Sequence, residues 1–178
     1  MVFSGRVYFD FLSPDVWRFY RLLTAAAREG VELRLAWRSF APEGDRSGRL
    51  ALASFEAVLD LAPDRHGRYL QAILAMHHLD GFVVDDPATW HEAAKAADVP
   101  SDVVDRADAY LEAVDISTAQ ARELGVCRTP ALYRHGPVLE IELTPAAYHD
   151  PAVVHRLETI DRVIADDGLW VLRKPELE

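Results

Sequence analysis

A second cysteine is the most telling absence from this sequence: Cys127 stands alone in 178 residues. That excludes an internal disulfide and any zinc site built on four cysteines. A basic excess is missing as well. Nineteen Lys and Arg stand against 29 Asp and Glu, for a formal charge of −10 and a pI near 5.1. Nucleic acid and anionic membranes both need a basic face to offset their charge, so neither is an expected partner. No apolar run approaches the roughly 20 residues needed to span a bilayer. The opening residues, Met1-Val2-Phe3-Ser4-Gly5-Arg6, lack the pattern of a secretory leader. These absences lead to the expectation of a cytoplasmic protein.

What is present is ordinary globular material. Half the residues are hydrophobic and 27% are charged, and a chain of this length buries roughly 70% of its unfolded surface without staples. One domain over residues 1–178 is expected. Residues 5–12 (GRVYFDFL) are short, aromatic and bounded by Gly and Ser-Pro, which predicts a strand. A helix follows at once, with Ser13 as N-cap, Pro14 at the first helical position and Asp15 at the positive end of the dipole. Val16, Tyr20, Leu23 and Ala27 share one face of it, and Gly30 ends it. Residues 31–40 predict a second strand, parallel to the first because the connection is a right-handed βαβ unit.

From 41 to 125 the pattern is helical. Residues 50–61 and 66–78 are periodic, Asp86-Pro87 and Pro100-Ser101 carry cap signals, and 117–124 reads as a short helix closed by Gly125. Strand character returns at 131–134 and 138–143 across a His135-Gly136-Pro137 turn, a link short enough for an antiparallel hairpin. Residues 152–165 form a closing helix with Val153, Leu157, Ile160 and Ile164 on one face. The order is β-α-β, helical insertion, β-β-α: an α/β fold of thioredoxin topology, with residues 41–125 as an all-helical insertion between its halves.

Two motifs carry a family resemblance: Tyr8-Phe9-Asp10-Phe11-Leu12-Ser13-Pro14 leading into Asp15-Val16-Trp17, and Leu124-Gly125-Val126-Cys127-Arg128-Thr129-Pro130-Ala131. Together they resemble the DsbA-type thioredoxin-fold superfamily. The Ser-Pro form of the first is similar to 2-hydroxychromene-2-carboxylate isomerases and kappa-class glutathione transferases. Trp37-Arg38-Ser39-Phe40 and Gly168-Leu169-Trp170 look more like bacterial DsbA-like oxidoreductases that carry Cys-Pro-x-Cys. An exchanger of that kind has cysteines where this chain has Ser13 and Val16. Serine does not cycle through disulfides, so dithiol exchange by this motif is excluded. The chain departs from the isomerase and transferase branch in placing Asp15, rather than an aromatic residue, after Ser-Pro.

The resemblance implies an enzyme dependent on a low-molecular-weight thiol, glutathione or mycothiol, acting as an isomerase, transferase or reductase on a small electrophile. Ser13 would stabilise the thiolate. Thr129, Pro130 (as a cis-proline), Arg128 and Asp150 would hold the cofactor, and Asp15, Trp17, Trp37 and Phe40 would line the substrate pocket. A homodimer is compatible with the family, though no apolar stripe marks an interface. A helix N-terminus lowers a thiol pKa, and a drop from about 8.5 to about 6.5 corresponds to roughly 2.7 kcal/mol of preferential thiolate binding. The alternative is a catalytically silent binding module without the two cysteines, in which Ser13 only caps its helix, worth about 1 kcal/mol. Cys127 reads as a small apolar packing residue, with oxidative chemistry the weaker possibility. His77 and His78, about 100° apart on a helix, do not suggest a metal site, and none is expected.

Overall fold

The computed structural model describes residues 1–42, 47–136, 138–143 and 152–165. Among the described residues, four strands, β1 (Val2–Phe9), β2 (Glu32–Ser39), β3 (Ala131–Tyr133) and β4 (Val138–Glu140), form one sheet in the order β2-β1-β3-β4. β1 runs parallel to β2 and antiparallel to β3, and β3 pairs with β4 as a hairpin. Alternation explains why β1 sits in the middle. Its odd-numbered Phe3, Val7 and Phe9 enter the main core, while Tyr8 enters a second, smaller cluster on the opposite face. Gly5 is required where β1 passes β3. Its φ is +149°, and a Cβ there would stand 2.8 Å from Leu132 Cδ1 and 3.1 Å from the Tyr133 carbonyl.

α1 (Pro14–Arg28) crosses from β1 to β2 and packs with α7 (Val153–Ala165). Its buried face is Val16, Phe19, Leu22, Leu23 and Ala26, so Tyr20 and Ala27 lie further from its centre than expected. Between β2 and β3 come α2 (Arg49–Leu61), α3 (His66–His78), α4 (Pro87–Ala97), α5 (Ser101–Val104) and α6 (Leu111–Glu123). α2 is apolar on almost every side and lies at the centre of this helical block. Asp85 holds the start of α2 by accepting from the N–H groups of Gly48 (2.6 Å) and Ala51 (3.3 Å). Phe55 of α2 meets Phe9 and Phe11 edge-on at 5.0 and 6.4 Å, joining the helical block to the end of β1. α6 covers the other face of the sheet. Ser117 donates to the Ser39 carbonyl at 2.7 Å, and Thr118 accepts from the Ala41 N–H at 3.0 Å.

Three elements differ from the sequence reading by more than one residue, and the simplest case is β4, which ends at Glu140 rather than 143. β1 begins at Val2 and ends at Phe9, because the Asp10 carboxylate turns the chain by accepting from the N–H groups of Leu12 and Ser13. The final helix of the block runs from Leu111 rather than 117, continuing a 3-10 turn at Ala107–Tyr110.

Candidate functional site

The site is the junction of β1, α1 and the turn into β3. Ser13 is the N-cap of α1, and its Oγ accepts from the Val16 N–H at 3.3 Å. The same hydroxyl donates to the carbonyl of Thr129 at 3.2 Å, across 116 residues of sequence. The Thr129–Pro130 peptide bond is cis. Beneath them lies Asp10, only 7% exposed. Its Oδ1 accepts from Leu12 and Ser13 N–H groups, both at 2.8 Å, and its Oδ2 accepts from the Thr129 hydroxyl. One buried carboxylate thus fixes both halves of the junction, and charge-assisted bonds of this kind are the strong ones. The sequence reading assigned Asp10 no role. The available signal was a lone carboxylate inside an apolar run, since buried carboxylates are kept only with partners.

Beside the junction is a cleft of about 140 Å³ lined by Asp15, Arg128, Thr129, Glu140, Ile141 and Glu142. Asp15 pairs with Arg18 at 2.8 Å, and Arg18 reaches the Leu143 carbonyl at 3.1 Å, which fixes the wall formed beyond β4. Glu140 is tied to the turn by the N–H groups of Cys127 and Arg128. Whole small-molecule sites run to roughly 300–1,000 Å³, so the cleft accommodates part of a tripeptide-sized ligand.

Of the expected site residues, the structure brings together Ser13, Asp15, Arg128, Thr129 and Pro130. It does not bring in the aromatic set. Trp37 is 8% exposed in the main core and Phe40 is 2% exposed in the second cluster. Three positions apart along an extended chain, they face opposite sides of the sheet and cannot line one pocket. Trp17 is half-buried and stacks against Tyr20 (6.3 Å) and His78 (5.9 Å). Asp150 and the 168–170 motif lie outside the described residues. The packing role expected for Cys127 is overturned: its side chain is exposed, and Val126 is the residue packed beneath the turn. The cause is a contact across the hairpin, because Glu140 holds the Cys127 N–H and leaves Sγ outward.

His77 and His78 do meet edge-on, with ring centroids 4.6 Å apart, but their nitrogens serve separate carbonyls. His77 Nδ1 bonds Phe82 and His78 Nε2 bonds Phe11, each at 2.9 Å. Among the described residues no group of three His, Cys, Asp or Glu could hold a metal ion. Burial, reinforced by His77, lowers the His78 pKa from 6.5 to about 4. It therefore bonds the Phe11 carbonyl as a neutral imidazole with its proton on Nε2.

No protein-family model and no curated protein matches the chain. Solved structures do. The cytosolic disulfide reductase DsbM of Pseudomonas aeruginosa superposes with a TM-score of 0.63 at 16% identity, covering 89% of this chain and 98% of its own. BdbD of Bacillus subtilis gives 0.66 at 15% identity over 92% and 88%. DsbG, a disulfide bond oxidoreductase of Mycobacterium tuberculosis, gives 0.62 at 21% identity over 91% and 83%. The fold is the DsbA-type thioredoxin fold. DsbM has also been solved with GSH.

Proposed function

We propose that the chain binds a low-molecular-weight thiol at the junction and uses it as an isomerase, transferase or reductase on a small electrophilic compound. The observation that carries this reading is the bond between the Ser13 hydroxyl and the backbone of Thr129 at the N-terminus of α1. A thiolate arriving there meets the Asp15 N–H of the first helical turn, the partial positive charge of the dipole and one movable hydroxyl proton. Ser13 needs only to turn its proton from the Thr129 carbonyl to the sulfur. Thr129 and Pro130 offer the peptide part of the thiol an extended edge for strand-like pairing, and the Asp15–Glu142 cleft admits the rest. Glutathione is the first candidate, because DsbM, a protein of the same fold, has been solved with GSH; mycothiol is the second. A cytoplasmic location belongs to the same proposal and is supported by the solitary cysteine and by the description of DsbM as cytosolic.

The cleft volume favours a second reading, that of a binding module without catalysis. A thermal-shift panel of glutathione, mycothiol and coenzyme A on the wild type and on Ser13→Ala separates the two. A thiol at about a hundred times its dissociation constant stabilises its protein by roughly 2.7 kcal/mol. In a domain of this size that raises the Tm at about 2–4 °C per kcal/mol. A shift with one thiol, reduced in Ser13→Ala, supports the enzyme; no shift with any thiol leaves the silent module.

A further inference from the structure

The turn ahead of the cis bond carries a polar cluster that thiolate binding does not use. The consecutive N–H groups of Cys127 and Arg128 both donate to Oε1 of Glu140, at 2.8 and 2.9 Å. The Arg128 Nε donates to the other oxygen, Oε2, at 3.2 Å. Adjacent main-chain N–H groups aimed at one point, with a guanidinium beside them, make an anion-binding concavity. In this chain the anion is its own side chain. We propose that the concavity is a binding site for the free carboxylate of a peptide-like ligand, an acylated amino acid or short peptide C-terminus, and that Glu140 is its displaceable internal occupant.

Three observations support displacement. The Glu140 backbone is fixed, paired with Ala131 across the hairpin and followed by the Ile141 N–H bond to the Pro130 carbonyl at 2.8 Å. Only its side chain has to rotate. That side chain is 28% exposed and the Arg128 side chain 65%, so the pair is within reach of solvent, where such ties are weak and screened. Glu140 also lines the cleft with Thr129, so its departure bares three donors and enlarges the cleft in one movement. Asp15 and Glu142 line the same cleft and oppose the addition of a second anion. The ligand carboxylate therefore enters by exchange, as Glu140 leaves. No thiol is required, so this site goes beyond the proposed function and does not rest on it.

The test uses N-acetylglycine and its neutral counterpart N-acetylglycinamide, titrated by calorimetry at constant ionic strength into the full chain. A site filled nine-tenths of the time by its own occupant binds about tenfold more weakly than an empty one. Glu140→Gln and Glu140→Ala are expected to bind N-acetylglycine about tenfold more tightly than the wild type, with the amide unaffected. Adding Arg128→Ala to Glu140→Gln should abolish the gain. A Glu140 tie that only braces the turn cannot produce tighter binding on removal. Equal affinity in wild type and variants, or equal binding of acid and amide, would overturn the site. So would loss of the folded state in both Glu140 variants, which would assign the three bonds to holding the turn.

Discussion

Ser13 serves two partners at once, accepting from the Val16 N–H and donating to the Thr129 carbonyl. Ser13→Ala is therefore expected to lose about 1 kcal/mol as a cap substitution, read as a lower urea midpoint with an unchanged slope. Asp10 matters more for stability, because three donors converge on a carboxylate almost removed from water. Asp10→Ala should cost about 2–4 kcal/mol, since it strands two part-buried N–H groups and the Thr129 hydroxyl. A loss under 1 kcal/mol in denaturant unfolding would show that the junction does not depend on it. The two residues were unequally legible. Ser-Pro-Asp announces a cap in one dimension, whereas the partners of Asp10 include a residue 119 positions away that no local pattern reveals. Cys127 fails for a related reason: its outward side chain follows from a Glu140 contact 13 positions on. It should react stoichiometrically with a thiol reagent in the native state, and burial-like protection would contradict the geometry of the turn.

At the scale of elements, the junction depends on neighbours that hold it from outside. His78 at the end of α3 bonds the Phe11 carbonyl just before Ser13, with its pKa lowered to about 4 by burial and by His77. The unfolded chain protonates this histidine near 6.5 and the folded chain near 4. Between those values the unfolded state binds more protons, so the contribution of His78 is complete above pH 6.5 and is lost as the pH falls toward 4. A wild-type loss of about 1–2 kcal/mol across that window, after allowance for solvent screening, should be absent in His78→Gln. Parallel urea midpoints at several pH values measure it. The starts of α1 and α4 were readable because their caps, Ser13 and Asp86, stand in the adjacent residues, and strand faces because alternation is strict, whereas α6 begins without a side-chain cap and its start was not. The same alternation, applied to positions 37 and 40, would have separated Trp37 from Phe40. The start of β1 was not readable: Val2–Ser4 carries little pattern of its own, and its place comes from pairing with β2. At Gly5, alanine would need an unfavourable φ and meet Leu132, so Gly5→Ala should destabilise by about 1–3 kcal/mol.

For the whole molecule, an acidic, single-cysteine chain folds as the DsbA-type oxidoreductases do, yet has Ser13 and Val16 at the positions that hold cysteines in the motif it resembles. On the proposed function, the thiol arrives with a ligand, and the α1 N-terminus and the Ser13 hydroxyl stabilise its thiolate. The most direct measurement is the ultraviolet thiolate absorbance of glutathione, and of mycothiol, followed against pH with the protein in excess. The account predicts that one of them, when bound, ionises about two pH units below its value in water, and that Ser13→Ala reverses part of that shift. If both thiols titrate in the presence of the protein as they do alone, the junction holds no thiolate and the proposed chemistry is contradicted.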